Sequence, residues 1–328
     1  MRRLLPLRRE GRAPRGELRR EGRAPGGLPR RERRGFAGLV GLVAGALLLA
    51  GCVTSPATDG GPLPAVSGQL GEFPTLTFPD AEPSGELEVA VLEEGDGETV
   101  ESGDLLLVDY VGQLWDGDVF DTSFESPTPA SFAIGVGRVI QGWDFALVGR
   151  QVGSRVVMSV PPYLGYGTDG NPAAGIGGED TLVFVVDIYG TFAPDSAGSP
   201  DAQPTAEAGG IGPRIEGELG SAATIAVPAG VAEPQAQVGT VLARADGEPA
   251  VEGSLVVQYA ATYWDNSLTE STWEMREPEV VPVGLGSPFD ELLGVPVGSR
   301  VLIEAPGNET VPAVALVVDI VAQANATG

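Results

Sequence analysis

Residues 105–124 read LLLVDYVGQLWDGDVFDTSF and decide the fold of this sequence. An apolar run rich in Leu, Val and Tyr leads into an Asp-Gly pair, and a second short apolar stretch follows. Asp-Gly between such segments is a strong signal for a β-hairpin. Two further segments, 155–160 and 181–189, are rich in Val, Ile or aromatic residues and are bounded by Gly, Pro or Asp. We therefore expect an antiparallel sheet built from these strands.

One short helix fits between the strands. The segment GWDFALVG from Gly142 puts Trp143, Ala146 and Leu147 on one face, and Gly149 is placed for a left-handed cap. We therefore expect the α+β fold class, in which an antiparallel sheet is wrapped on a short helix.

The same order of segments occurs a second time. SLVVQYAATYWDN from Ser254 repeats the strand-and-turn pattern that starts at Leu105, at a separation of 149 residues. The tetrapeptides VGSR and VVDI recur at separations of 145 and 132 residues, so the second copy becomes progressively shorter. The losses fall on the segments that correspond to VIQGW and PPYLGYG in the first copy. We expect two sheet-and-helix units, of which the second keeps its strands without those two blocks.

Charge and composition exclude several classes of function. Of the 20 basic residues, all arginine, 13 lie before residue 35, and the 277 residues after Gly51 keep 41 acids against 7 arginines, a net charge of −34. Such a body repels phosphate backbones, so nucleic-acid binding is not expected. The absence of histidine excludes imidazole-based hydrolase triads and zinc sites of the Cys/His type, and the single cysteine forbids an intramolecular disulfide.

The N-terminal region has the layout of an export signal. Arginines within 30–34 precede an uncharged apolar run over 35–51, which ends in Leu-Ala-Gly before Cys52. These last four residues resemble the bacterial lipobox, in which the cysteine is lipidated and becomes the first residue of the mature protein. We expect residues 1–51 to be an Arg-rich leader and lipoprotein signal peptide, and Cys52 to hold the body at the extracytoplasmic face of the cell membrane. The alternative is an uncleaved transmembrane helix.

Composition divides the rest of the chain into folded and flexible parts. Residues 52–84 and 193–212 are rich in Pro, Gly, Ser, Thr and Asp, which is typical of a flexible tether and a linker. They bound two folded units over 85–192 and 213–322, and a short tail follows over 323–328.

Possible calcium- and phosphate-binding motifs indicate function less strongly than the aromatic residues do. Asp116, Asp118 and Asp121 lack EF-hand spacing, and the Asp-Gly pair predicts an ordinary turn. The GVGRVIQG segment lacks the GK[ST] ending of a phosphate loop. Aromatic residues concentrate between 110 and 184. Seven of them carry the signal, although each alone is typical of a core: Tyr110, Phe120, Phe132, Trp143, Tyr163, Tyr166 and Phe184.

In residues 86–191 the chain resembles the FKBP-type peptidyl-prolyl isomerase family. The resemblance rests on five blocks in the family's order, VDYVGQLWDGDVFDTSF, FAIGVGRVIQGWDFAL, VGSR, PPYLGYG and TLVFVVDI. It implies a sheet wrapped on a short helix, and cis–trans isomerisation of X-Pro bonds without a cofactor.

The resemblance also implies roles for individual residues. Trp143 matches the floor of the proline pocket, and its apolar walls match Tyr110, Phe120, Val139, Ile140 and Phe184. The backbone N–H of Ile140 would donate to a substrate carbonyl. Asp121 matches the acid directed at the twisting amide, and Tyr166 matches a hydrogen-bonding tyrosine of the flap.

Two positions depart from the family's pattern. Ala130 stands where a further aromatic wall residue is common, and Ser126 stands where an arginine often pairs with the acid. These differences bear on substrate preference and efficiency. In the second copy Phe120 and Asp121 align with Thr269 and Glu270, so we expect 213–322 to be a degenerate FKBP-like domain without the catalytic site.

These observations predict an exported, membrane-tethered peptidyl-prolyl cis–trans isomerase that acts on proline-containing exported polypeptides as a monomer. Slow X-Pro steps in protein folding would be its targets. One alternative is a non-catalytic lipoprotein that uses the pocket to capture proline-containing segments. A second is a calcium-dependent surface protein, which the acidic composition favours but no motif supports.

Overall fold

The computed structural model describes residues 62–324, so Cys52 and the predicted leader lie outside the described residues. Residues 62–192 form β1 (Ala65–Ser67), β2 (Thr75–Thr77), β3 (Glu88–Glu93), β4 (Leu105–Leu114), β5 (Val119–Thr122), β6 (Ala130–Ala133), α1 (Gln141–Leu147), β7 (Arg155–Val160) and β8 (Leu182–Phe192). Residues 193–324 form β9 (Gln203–Pro204), β10 (Arg214–Glu216), β11 (Thr224–Ala226), β12 (Val238–Arg244), β13 (Gly253–Tyr263), β14 (Thr269–Ser271), α2 (Thr272–Met275), β15 (Glu279–Val283), β16 (Arg300–Ala305) and β17 (Val314–Gln323). The strands and the helix expected in the first unit are confirmed.

Two antiparallel sheets have the same strand order. The first is β3-β7-β8-β4-β5, with β6 also paired to β4. The second contains β12-β16-β17-β13-β14, with β15 also paired to β13, and β9 extends it beyond β12. The sequence repeat therefore corresponds to a repeat of sheet topology, strand for strand.

The expected α+β class, with each sheet wrapped on a short helix, is wrong. Among residues 62–324 the two α-helices have only 7 and 4 residues, and the remainder of the regular structure is mainly β. Between β15 and β16, where α1 has its counterpart in the chain order, Pro288–Leu292 form a 3₁₀-helix of 5 residues. The 3₁₀ form is common in such short helical pieces.

Strand β4 is apolar on both faces because both faces are covered. Leu106 and Val108 pack in the core that contains Trp143, whereas the alternate residues Leu105 and Leu107 pack against the second sheet. Successive side chains of a strand point to opposite sides. The run of apolar residues therefore places one face of β4 under the cavity described below and the other face against the second half of the chain.

The segment 62–84 has an ordered structure that its Pro- and Gly-rich composition did not indicate. Its hairpin β1–β2 covers the outer face of the first sheet. The buried Arg155 guanidinium binds Asp187 at 2.6 and 2.7 Å and donates to the backbone oxygens of Gly68 and Glu72. Asp187 in turn accepts from the backbone N–H of Gly71 at 2.8 Å. One buried ion pair therefore joins the hairpin to the sheet.

The second half repeats this arrangement. Arg300 binds Asp319 at 2.6 and 2.9 Å and donates to the backbone oxygens of Gly217 and Ser221, next to the hairpin β10–β11. Asp319 accepts from the backbone N–H of Gly198. Among residues 62–324 no helix reaches the length and apolarity needed to cross a membrane.

Candidate active site

A cavity of about 600 Å³ opens between β4, β5, α1 and the loop after β7. All eight residues that the sequence analysis assigned to the site line it: Tyr110, Phe120, Asp121, Val139, Ile140, Trp143, Tyr166 and Phe184. The fold thus brings together side chains that are up to 74 positions apart in the sequence.

Trp143 forms the floor of the cavity and is 4% exposed. Its indole meets the rings of Tyr110, Phe132 and Phe184 edge-on, with centroid distances of 5.2, 5.4 and 5.4 Å. Each such contact stabilises by about 0.5–1.5 kcal/mol beyond area burial. The indole N–H makes no hydrogen bond within residues 62–324, so the floor presents an apolar ring surface with one unsatisfied donor.

Helix α1 can hold Trp143 in this place because Gly142 lets the helix approach β7 closely. A Cβ atom on Gly142 would lie 2.5 Å from a methyl carbon of Val160. A second close approach forms the wall, since a Cβ on Gly112 would lie 2.7 Å from the Phe120 ring and 2.9 Å from the Phe184 ring. Only glycine at this position of β4 leaves room for the Phe120 ring from β5 and the Phe184 ring from β8.

The rim of the cavity carries one carboxylate. Asp121 is exposed at its edge and accepts a hydrogen bond of 2.5 Å from the Tyr110 hydroxyl. Burial, this hydrogen bond and the carboxylate charge raise the pKa of Tyr110 above its ordinary value. The Tyr110 hydroxyl therefore stays protonated at neutral pH and orients the Asp121 carboxylate.

The backbone N–H of Ile140 lies at the start of α1 and has no acceptor within residues 62–324. The loop before it is fixed by Asp144, whose carboxylate accepts from the N–H groups of Gly135 and Gly137 at 2.6 and 2.9 Å. Both glycines have positive φ, near 75°, which other residues rarely adopt. The loop thus presents a free N–H donor to the cavity.

The flap over 161–180 adds two tyrosines. Tyr166 lines the cavity and is 40% exposed, and Tyr163 also lines it while its hydroxyl donates to Glu86 at 3.0 Å. Ile176, which the sequence alone could not place, is 3% exposed and pairs with Asn171 through two backbone hydrogen bonds. The extra residue of the flap is therefore accommodated within a closed turn.

Sequence reasoning did not assign Phe132, Arg138, Gln141 and Tyr163 to the site, although all four line the cavity. Phe132 and Tyr163 stood out only as members of the aromatic cluster. Arg138 gave no signal, because a single arginine in a loop is usually a solvated surface residue. Ser126 is exposed and does not line the cavity.

The cavity offers no grouping suited to a metal. Within residues 62–324 no three cysteine, aspartate or glutamate side chains lie close enough together to hold an ion. What the arrangement can do is take up an apolar ring and strip it of water, next to one backbone donor, one carboxylate and one tyrosine hydroxyl.

The second half has a shortened counterpart of the segment that carries Trp143 and Asp144. Phe289 packs on Tyr259 at 6.1 Å, and the following Asp290 accepts from the N–H groups of Gly284 and Gly286 as Asp144 does in the first half. The expectation that the whole VIQGW block is missing was therefore wrong: the block is shortened, and a phenylalanine stands where Trp143 stands. The Tyr259 hydroxyl is buried and lies 3.1 Å from a carboxylate oxygen of Glu270 and 2.9 Å from one of Glu279, so its single proton can be donated to either carboxylate.

Known proteins share the sequence that builds the first cavity. A family model described as FKBP-type peptidyl-prolyl cis-trans isomerase matches residues 96–189. The FK506-binding protein of Streptomyces anulatus is 38% identical over 118 residues, which are 36% of this chain and 95% of that protein. FK506-binding protein 2 of Dictyostelium discoideum is 44% identical over 114 residues, which are 34% of this chain and 84% of that protein.

Fold, site and relatives define a rotamase, an enzyme that isomerises peptidyl-prolyl bonds. The chain belongs to the FKBP-type peptidyl-prolyl cis–trans isomerases, and its first half carries the FKBP fold. The family and the enzyme class inferred from the sequence are confirmed.

Proposed function

We propose that this isomerase acts, as a monomer, on proline-containing polypeptides that have been exported across the cytoplasmic membrane, and that it does so at the outer face of that membrane. The observation that carries the catalytic part is the aromatic cavity floored by Trp143, with the Ile140 N–H and Asp121 at its rim.

The required rate enhancement is small. Rotation about an amide bond has a barrier of about 18–20 kcal/mol, and turnover at ~10–10³ per second needs a barrier of roughly 13–16 kcal/mol. The cavity must therefore supply only about 4–6 kcal/mol. In the twisted transition state the amide loses resonance and polarity, so a dry apolar site favours it over the planar ground state.

Each rim group has a role in this mechanism. Trp143, Phe120 and Phe184 hold the proline ring and exclude water. The Ile140 N–H donates to the carbonyl that follows the proline and fixes the substrate's orientation. The Asp121 carboxylate, oriented by Tyr110, faces the carbonyl carbon side of the twisting amide, and Tyr166 donates from the flap. No nucleophile or strong base takes part.

The location rests on the N-terminal sequence. The apolar run over 35–51 followed by Cys52 fits export and lipidation, and a cysteine that carries two acyl chains anchors a protein stably where one chain does not. The strongly acidic body, net −34 after residue 51, suits an extracytoplasmic surface facing water.

The second half is proposed to be a degenerate, non-catalytic repeat of the FKBP sheet. Its counterpart of the cavity contains Phe289, Tyr259 and two glutamates, and β16 and β17 are joined by 306–313 without the tyrosines of the flap. Two half-buried carboxylates at that place do not suit a proline ring, because an apolar ligand would remove further water from their charges.

The first experiment measures the cis-to-trans rate of a Phe-Pro tetrapeptide with the chain from residue 53 onward. We expect acceleration that is lost in Trp143→Ala and strongly reduced in Asp121→Ala, with Phe145→Ala as the control. Phe145 lies on the same helix but is 65% exposed, so its removal leaves the cavity intact. A folded chain that binds the peptide without accelerating it would instead establish a non-catalytic capture protein.

The location has its own experiment. The full chain is expressed in a bacterial host with radiolabelled palmitate, beside Cys52→Ser. We expect label and membrane association that disappear in the variant. Membrane association without label in both proteins would show that the apolar run is an uncleaved anchor.

A further inference from the structure

A second cavity, of about 620 Å³, continues from the first and lies between the two halves of the chain. The two cavities share Gly137 and Arg138. The second one is further lined by Val136 from the first half and by Met275, Arg276 and Glu277, which end helix α2 in the second half. A polypeptide that leaves the proline pocket along Arg138 therefore meets residues of the other half.

The wall from the second half is fixed in place. The Trp273 indole N–H donates to the backbone oxygen of Ser196 at 3.3 Å, and the Gln258 amide donates to that of Pro194 at 3.0 Å. Buried apolar side chains of β4 and β13 pack together behind these bonds. These bonds fasten helix α2 and β13 to the segment that directly follows β8, and the packing of β4 on β13 holds the second half against the first.

The charged residues that line the second cavity are two arginines and one glutamate, so its lining is net positive in a strongly acidic chain. Arg138 and Arg276 meet at one cavity although the chain after residue 51 has only 7 arginines and a net charge of −34. Arg155 and Arg300 are already paired with buried aspartates and cannot bind a client. Arg276 has no ion-pair partner within residues 62–324. Arg138 has only Glu277, at 3.8 Å with both side chains partly in water, which is a weak contact.

The backbone of Arg276 gives an independent reason to ask what its side chain does. It caps helix α2 with φ 56° and ψ 39°, in the left-handed region that favours glycine at such caps. Glycine would satisfy the backbone better. What arginine adds is a guanidinium at the cavity.

We infer that the second half completes the client-binding site with a subsite for an acidic side chain, so that extended segments with Glu or Asp near the proline are preferred. This inference rests on the proposed function and names a class of client for it. Val136 and Met275, 54% and 46% exposed, contact the apolar part of the segment, and the two guanidiniums bind its carboxylate. Without a client, Glu277 forms an ion pair with Arg138, and the carboxylate of the client displaces it.

The test compares isomerisation of ten-residue peptides with a single Phe-Pro bond, in which one Glu is moved through each position on either side and is matched by a Gln peptide. We expect at least one register in which the Glu peptide has a kcat/KM about fivefold above its Gln twin at low salt, a gap that salt closes. Arg276→Gly should abolish the gap while keeping or raising the thermal midpoint. Glu277→Gln should widen it.

Two controls separate the possible failures. Arg244→Gln removes an exposed arginine elsewhere in the second half and should leave the gap unchanged. The Phe-Pro tetrapeptide is too short for the subsite and should respond to none of these variants. Equal rates for Glu and Gln peptides in every register, or a gap that survives Arg276→Gly, would overturn the subsite alone. A tetrapeptide that is not accelerated at all would overturn the proposed function and this inference with it.

Discussion

At the scale of single residues, Asp121 and Tyr110 make the polar contact at the rim on which the proposed mechanism depends. Asp121→Asn keeps the size of the side chain and removes its charge. Because hydrogen bonds to charged groups are worth about 1.5–3 kcal/mol, we expect kcat/KM toward a Phe-Pro peptide to fall roughly 10- to 100-fold. The pKa of Tyr110 should fall in the same variant, which ultraviolet absorbance at alkaline pH would report.

The control for this prediction is Asp118→Asn, an exposed carboxylate at the hairpin turn that does not line the cavity. It should leave both the rate and the tyrosine titration unchanged. Full activity in Asp121→Asn would mean that the apolar cavity and the Ile140 N–H suffice for catalysis.

Gly112 limits the cavity from within the sheet. In Gly112→Ala the new Cβ meets the Phe120 and Phe184 rings, which must shift. Overpacking of this kind costs about 1–3 kcal/mol, and here the displaced atoms are the cavity wall. We expect a lower free energy of unfolding in urea and a loss of activity larger than that loss of stability explains. Gly209→Ala, with no atom within 4 Å and no positive φ, should change neither quantity.

Residues of the site were predictable where their type is required by the chemistry. The proline pocket needs aromatic rings, so Trp143, Phe120 and Phe184 stand out from a chain poor in aromatics. Arg138 was not predictable, because the role proposed for it depends on Arg276 and Glu277. These residues are more than 130 positions away and lie near Arg138 only because the two halves pack together. A lone arginine in a loop carries no such information.

At the scale of elements, Asp144 and Asp290 form a matched pair of loop anchors. Each carboxylate accepts from two glycine N–H groups before a short helix, but only the first loop presents a donor to the cavity. We expect Asp144→Ala to lose kcat/KM and about 1–3 kcal/mol of stability, since two N–H groups, one of them partly buried, lose a charged acceptor. Asp290→Ala should lose a similar amount of stability in urea and keep full activity. Equal activity losses in both variants would show that general loosening, rather than the Ile140 loop, limits the rate.

The repeated tetrapeptides VGSR and VVDI illustrate what a sequence repeat does and does not reveal. They located the second copy. The two VGSR tetrapeptides contain Arg155 and Arg300, and the two VVDI tetrapeptides contain Asp187 and Asp319. Their pairing could not be read from spacing, because the two partners lie on neighbouring antiparallel strands with an intervening loop of different length in each half. The same pair explains why the Gly-rich segment before the first sheet is ordered: its carbonyl groups are acceptors for a buried guanidinium.

At the scale of the whole molecule, the strands were easier to predict than the fold class. Apolar runs specify strands locally, and both sheets form as expected. The form of a short helix, in contrast, depends on the loop that leads into it: that loop is a few residues shorter before Asp290 than before Asp144, and a 3₁₀-helix follows it. Contact between the halves was also hidden, since the apolar residues of β4 that make it read as ordinary core.

Because the chain has no lysine, the pH dependence of its stability at alkaline pH reports the ionisation of its buried tyrosines. Between about pH 10 and 12 tyrosine is the side chain that titrates in this chain, which has 6 of them. Burial and neighbouring carboxylates raise the pKa of Tyr110, Tyr189 and Tyr259 in the folded state. In the unfolded chain they ionise near pH 10. Their contribution to stability is therefore complete below that pH and is lost as pH rises toward the folded values.

We accordingly expect the free energy of unfolding, measured in urea at pH 9.5, 10.5 and 11.5, to fall with rising pH. A tyrosine that stays protonated only in the folded state contributes up to about 1.4 kcal/mol per pH unit to this slope. The contributions of Tyr110 and Tyr189 are smaller, because these two residues are partly exposed and water screens their hydroxyl groups. Tyr259 is 3% exposed and binds two carboxylates, so Tyr259→Phe should flatten the slope most. Tyr163→Phe, whose ring is 60% exposed, should flatten it least. An unchanged slope in Tyr259→Phe would mean that the second half opens before its tyrosine ionises, and that the two sheets unfold as separate units rather than together.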